Sequence, residues 1–401
     1  MLTLDKVYHA AYVLRECARK TDLIAAPLLS ESHNLYLKTE NLQVTGSFKL
    51  RGAYYKISQL SDEEKSRGIV ACSAGNHAQG VAMSASRKGI KSTICMPDSA
   101  PVMKVESTRR LGASIELVKG AYDDAHDRAV EIVNETGATF IHPYDDDFVI
   151  AGQATIGLEI LDQLEDVEAI IVPIGGGGLI SGISFAVKSL KPDIKVYGVQ
   201  AAGAPSMYNS FVNHKREVLE SVSTFADGIA VKNPGENTFE IISKYVDDIV
   251  CVSEDEIAAA ILALIEKQKL IAEGAGAVPV AAAMFHKLPI ENKKTVCVVS
   301  GGNIDVNILS RVITRGLMMT GRNVNLTIEL VDKPGQLQQV SEIIASCGAN
   351  VVSVYYDHGD TNMAINSCFL KLALETRDGE QIDAIRRELV NAGFRIVTER
   401  V

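Results

Sequence analysis

Thr45 to Ala53 read TGSFKLRGA, a Thr-Gly-Ser turn running into a helix whose first turn holds Lys49. A cation there opposes the helix dipole, which favours anions at N-termini. A lysine attacks a carbonyl only as the free amine, a form that burial or nearby positive potential favours by lowering its pKa. Lys49 is therefore either an ordinary solvated lysine, the simpler reading of this stretch alone, or a nucleophile. Gly175, Gly176, Gly177 and Gly178 follow the apolar run AIIVPI and precede another helix. Four glycines there make either a tight strand-to-helix turn or a phosphate cradle of backbone N–H groups at a helix N-terminus. The run fits neither the dinucleotide-binding nor the P-loop spacing.

Two more turns of this kind carry polar groups. Ser73, Ala74, Gly75, Asn76 and His77 offer a hydroxyl, bare amides and a carboxamide suited to a carboxylate or a ring oxygen. His77 could be a base, but a helix-start histidine bonded to backbone explains it better. Ser300, in VSGGN, ends a strand and could present its hydroxyl to a ring nitrogen, or simply open the next helix. Together the four turns describe one ligand. An aldehyde suits Lys49, a phosphate the glycines, a ring oxygen Asn76 and a ring nitrogen Ser300. Pyridoxal 5′-phosphate has all four.

The elements that must position these residues are short β-branched runs alternating with amphipathic helices. GIVACS, KSTICMP, ASIELVKG, EAIIVPI, KVYGVQ and TVCVVS read as strands. The pattern predicts an α/β protein with parallel sheets covered by helices on both faces. Ligands of such sheets sit at the carboxyl ends of strands, and CSAGNHAQG, PIGGGGL and VSGGN each follow a strand. After Gly321 the pattern becomes strand, helix, strand, strand, helix, strand, an α+β module of ferredoxin-like topology, with GLMMTGRN as the linker.

Composition narrows the class. The chain has 401 residues, 47% hydrophobic and 22% charged, enough for two or three domains. A net charge of −10 argues against nucleic acid or anionic membranes as partners. No signal peptide or membrane-spanning run is expected, and seven scattered cysteines suit a reducing cytoplasm. Eight dispersed histidines predict no zinc site.

The motifs TGSFKLRGA, CSAGNHAQGVA, PIGGGGLISG, ADGIAV, AEGAGA and SGGN stand in this order, and with them residues 1–320 resemble the threonine/serine dehydratases, pyridoxal-phosphate enzymes of the tryptophan-synthase-like class (fold type II). The resemblance implies a two-lobed catalytic domain, its smaller lobe spanning about residues 50–150. It implies that Lys49 bonds the cofactor aldehyde and then moves the Cα proton. Phe48 would pack beside the ring, Asn76 bond the ring 3′-oxygen, Gly175 to Gly178 hold the phosphate and Ser300 meet the ring nitrogen. Ser73, Ala74, Gly75 and His77 would grip the substrate carboxylate. The implied reaction turns L-threonine into 2-oxobutanoate and ammonia, with some activity on L-serine. A serine-specific dehydratase, a hydroxyaspartate lyase and a non-catalytic amino-acid-binding regulator are the alternatives. Serine racemases carry a second base where this chain has Ala74, so racemisation should be poor. Relatives that bind a divalent cation place carboxylates where this chain has Gln200 and Ser206, so no metal site is expected.

Residues 325–401 resemble an ACT domain through VDKPGQLQQV…GANV. That implies binding of a small amino-acid effector such as isoleucine or valine at Pro334, Gly335, Gln336 and Leu337, with Asn350 joining, in a homodimer or homotetramer. A plain Pro-Gly turn is the alternative.

Overall fold

Continuous apolar runs place their strands in the middle of parallel sheets, where both faces are buried. The structure, a computed structural model, describes residues 1–30, 34–358 and 366–397. The chain divides into two compact units, Met1–Asp305 and Val306–Val401.

The first unit holds two sheets. The larger contains β1 (Leu23–Ala25), β2 (Asn34–Lys38), β7 (Ala169–Pro173), β8 (Lys195–Ala201), β9 (Asp248–Val252) and β10 (Lys294–Val298), in the order β1-β2-β10-β7-β8-β9. Only β1 runs antiparallel. Every residue of β7 is buried, as its sequence AIIVP requires. The smaller sheet contains β3 (Ile69–Cys72), β4 (Ser92–Pro97), β5 (Ser114–Val118) and β6 (Thr139–Phe140), all parallel, in the order β5-β4-β3-β6. The two sheets are built around separate apolar clusters.

The helix Lys49–Ser58 is clamped in place. A β-carbon added at Gly152, in the helix Asp147–Gln163, would lie 2.6 Å from the Arg51 carbonyl and from Gly52 Cα, so the two backbones touch. A β-carbon at Gly80, in the helix Asn76–Arg87, would lie 3.1 Å from the Lys49 carbonyl. Buried Arg51 pairs with Glu40 at 2.8 Å and with Glu159 at 2.6 Å, and Lys38 pairs with Glu159 at 2.6 Å. Removing one partner of such a network costs about 3–5 kcal/mol, so it fixes the helix start in one place.

The second unit is a four-stranded antiparallel sheet of β11 (Asn323–Val331), β12 (Asn350–Asp357), β13 (Ser367–Glu375) and β14 (Arg395–Val397), in the order β12-β13-β11-β14. With the helices Gln336–Ser346 and Gly379–Asn391 it has the expected ferredoxin-like connectivity. β13 alternates buried and half-buried residues, the mark of a sheet covered on one side. The expected linker is half helix. The helix Val306–Met319 runs through GLMM because Val312 and Gly316 are buried, and it belongs to the second unit rather than to residues 1–320.

Among the described residues, no helix is long and apolar enough to cross a membrane.

Candidate active site

Lys49 opens its helix half-buried, behind Gly46 at φ +73°. Its Nζ donates to the Pro143 carbonyl at 2.8 Å and lies 5.3 Å from the Phe48 ring centroid. Burial pulls the amine down to about 8, against the opposing charge of Glu273. Half-buried and bonded to a backbone carbonyl, Lys49 is drawn into the fold, and desolvation is the first cause of the shift.

Ser300 lies beside Lys49 by backbone pairing. The Phe48 N–H donates to the Ser300 carbonyl at 3.1 Å, and Ser47 bridges to Gly301. Ser300 is buried, and the Ser47 hydroxyl is buried with no partner. Asn76 begins its helix across from this turn, its carboxamide donating to Glu273 Oε1 at 2.7 Å. Ser73, Ala74 and Gly75 are half-buried, and the Ser73 hydroxyl accepts from the Gly75 N–H at 3.1 Å. A side chain at Gly75 would meet nothing within 4 Å, so the loop borders open space. His77 takes the bland role. It is buried, its Nε2 lies 2.8 Å from the Ile141 carbonyl, and burial pulls it to about 3, so it stays neutral.

The glycine run joins the lysine through one dipeptide. Pro143 accepts from Lys49, and the next residue, Tyr144, lies on the glycines. A β-carbon at Gly176 would sit 2.4 Å from the Tyr144 ring, and one at Gly178 2.8 Å from the Tyr144 carbonyl. Gly177, at φ +99°, caps the helix Gly178–Leu190 with no side-chain bond to its first N–H groups. Thr238 Oγ1 donates to the Gly176 carbonyl at 2.7 Å, and Asp145 accepts from the Glu236 and Thr238 N–H groups. The first-turn amides are thus left for an anion.

Sequence reasoning missed two groups. Segment 142–145 follows β6 and holds the site together, with His142 pulled by burial to about 4 and accepting from the Tyr144 and Asp145 N–H groups. Glu273 is the other. It lies inside AEGAGA, where a carboxylate between Ala272 and Gly274 was the signal. Burial, then the charge of Asp227, push it up to about 7. Asp227 in turn pairs with Lys104 at 2.6 Å.

Gln200 Oε1 accepts from the Tyr208 N–H, and Ser206 Oγ donates to the Val231 carbonyl, so both positions expected to hold a cation in some relatives are engaged with protein.

Residues 14–302 match the family model described as pyridoxal-phosphate dependent enzyme. The chain belongs to the pyridoxal-phosphate-dependent enzymes. This enzyme is 49% identical to an L-threonine ammonia-lyase of Thermotoga maritima over 398 residues, 99% of each chain. It is 46% identical over 325 residues to a catabolic L-threonine dehydratase of Staphylococcus aureus, covering 79% of this chain and 93% of that one. Among solved structures, a processed threonine deaminase from Solanum lycopersicum superposes with a TM-score of 0.74 at 38% identity, over 79% of this chain and 90% of that one. Maize serine racemase gives 0.74 at 32% identity, over 79% and 98%. The residues present fit the cofactor. They provide an amine able to be neutral, uncapped helix amides for a dianion, a carboxamide donor, and an unpartnered buried hydroxyl at Ser47.

In the second unit, a cavity of 290 Å³ is lined by Leu330 to Pro334, Gln336, Tyr356 and Cys368. Of the expected residues, Pro334 and Gln336 line it, and Gly335, Leu337 and Asn350 do not. Asn350 and Asn323 both pair with Glu375, whereas the loop leaves the far end of β11, where Val331 pairs with Ser367. That separation is roughly 25 Å along the strands, so Asn350 does not join this cavity within one chain.

Proposed function

We propose that this enzyme dehydrates and deaminates L-threonine to 2-oxobutanoate and ammonia, with slower turnover of L-serine. The observation that carries the substrate choice is the end-to-end match to the Thermotoga L-threonine ammonia-lyase. Bound pyridoxal phosphate supplies an electron sink conjugated to the substrate Cα. The glycine-run amides would hold its phosphate, and Tyr144 and Thr238 keep that turn in place. Ser300, a neutral hydroxyl, would meet the ring nitrogen, and Asn76 would donate to the ring oxygen. The Ser73–His77 loop binds the substrate carboxylate through its amides and hydroxyl. Lys49, neutral in an appreciable fraction near pH 8, takes the Cα proton at Nζ. Loss of the β-hydroxyl as water, made up with the proton taken from Cα, leaves an enamine that takes up water to give the 2-oxo acid and ammonia. The test compares 2-oxobutanoate formed from threonine with pyruvate formed from serine. A higher kcat/KM for threonine supports the assignment, and a serine-only enzyme refutes it.

Ala74 has no hydroxyl to deliver a proton to the opposite face of Cα, so serine racemisation should be negligible beside elimination. The 290 Å³ cavity supports a second site for an amino-acid effector, bounded by Asp332, Lys333 and Pro334, with Gly335 and Leu337 shaping its loop. Control would then pass through an oligomer in the cytoplasm.

A further inference from the structure

Asn76 does not stand alone. Asn303 Nδ2 donates to the Thr45 carbonyl at 2.9 Å and to Asn76 Oδ1 at 2.7 Å. Asn76 Nδ2 donates to Glu273 Oε1 at 2.7 Å, and the Asn303 backbone N–H favours the ionised form of the same carboxyl. A backbone carbonyl only accepts, so Thr45 fixes which end of the Asn303 amide faces it. Asn303 then presents a donor to Asn76, which must answer with its oxygen. Glu273, an acceptor when ionised, takes one hydrogen of the Asn76 nitrogen. That nitrogen carries two, so one remains. Reversing the Asn76 amide would set nitrogen against nitrogen at Asn303 and oxygen against carboxylate at Glu273.

The surrounding backbone leaves space for this ring of bonds and for little else. A β-carbon at Gly46 would lie 2.4 Å from Asn303 Oδ1, and one at Gly301 would lie 2.4 Å from Glu273 Oε1 and 3.2 Å from Asn76 Nδ2. The Glu273 N–H also donates to the Gly301 carbonyl at 3.0 Å. Two turns distant in sequence, TGS and SGGN, thus give up side chains at the points where the ring passes.

We propose that Asn303 and Glu273 are positioning residues which lock the Asn76 carboxamide in one orientation, so that its remaining N–H is held as a donor for the cofactor's anionic ring oxygen. This rests on the role given to Asn76 in the proposed function. The orientation is set by an acceptor on the main chain, passed through two amides and closed by a carboxyl, and the cofactor contact inherits it.

The test uses the full chain stripped of cofactor and titrated with pyridoxal phosphate. Asn303→Asp keeps the shape and replaces the donor by an acceptor facing both the Thr45 carbonyl and Asn76 Oδ1. It should weaken cofactor binding about tenfold or more and move the absorption maximum of the bound cofactor. Glu273→Ala should move the maximum as well. Glu273→Gln, which keeps an acceptor oxygen for Asn76, should retain the wild-type maximum. A wild-type maximum and affinity in Asn303→Asp overturns the proposal. So does a Gln variant shifted as far as the Ala variant, because the charge and not the acceptor would then matter. If Asn303→Asp does not fold, the Asn303→Ala spectrum is read instead, and an unshifted maximum there overturns it equally. Failure of the parent reading looks different, because the wild-type protein would then take up no coloured cofactor.

Discussion

A β-carbon added at Gly176 would lie 2.4 Å from the Tyr144 ring, whereas one added at Gly335 would meet nothing within 4 Å. Both glycines stand next to helix starts in turns singled out by sequence, and both turns were assigned to ligands. In the first unit, however, the glycine exists because another segment occupies its side-chain space, and that segment also touches Lys49. In the second unit Gly335, at φ +93°, serves its own turn only. A glycine required by a neighbour marks a place where distant parts of the chain converge on one site. A glycine required by its backbone marks a bend.

The contrast is sharpened most by removing the group on which the first unit converges. Lys49→Ala should lower threonine turnover by at least about a thousandfold while the chain stays folded, since both nucleophile and proton carrier are lost. Continuous assay of 2-oxobutanoate with circular dichroism checks both halves of that statement. The pH dependence of cofactor uptake tests the same amine without mutation. Its pKa is depressed to about 8, so the neutral fraction rises with pH and saturates above that value. The rate of covalent cofactor capture should climb roughly tenfold per pH unit below 8 and level off above it. A flat profile would mean that burial does not control this lysine.

Much of this was legible before the structure. The glycine run, Asn76 and Ser300 lie where strands pass toward helices, Lys49 opens a helix behind the Thr-Gly-Ser turn, and such turns are written in local residue types. The helix-covered parallel sheets and the ferredoxin-like module were legible from alternating periodicity, whereas the division into two lobes came only with the family resemblance. What was not legible depends on contacts between segments far apart in sequence. Pro143 and Tyr144 join Lys49 to the glycine run across about a hundred residues, and no local pattern shows it. Glu273 and Asn303 sat inside quoted motifs, yet their partners lie at Asn76 and Thr45. The helix running through GLMM, expected to be linker, is held by the burial of Val312 and Gly316, which no local pattern shows. Asn350 begins the strand after the loop's helix, but within one chain its pairing with Glu375 puts it at the other end of the sheet from the loop.

Smaller effects separate the two glycines directly. Gly176→Ala should destabilise the protein by about 1–3 kcal/mol through overpacking against Tyr144, and should weaken cofactor binding at the same time. Gly335→Ala should cost only about 1 kcal/mol, from the left-handed backbone alone, with cofactor binding unchanged. Thermal melting and cofactor titration of both variants decide this, and equal penalties would erase the contrast. The smallest effect is expected at Asn350. If isoleucine or valine alters the initial rate, Asn350→Ala should leave the response within about twofold, while changes at Lys333 or Pro334 should shift it by the 1–3 kcal/mol typical of allosteric coupling.

The central claim is that one amine, that of Lys49, carries the cofactor. Reducing the holoenzyme with borohydride, digesting it and mapping the pyridoxyl mark by mass spectrometry tests this most directly. The account predicts a single labelled peptide containing Lys49. A mark on any other lysine, or none on a fully loaded protein, would contradict it.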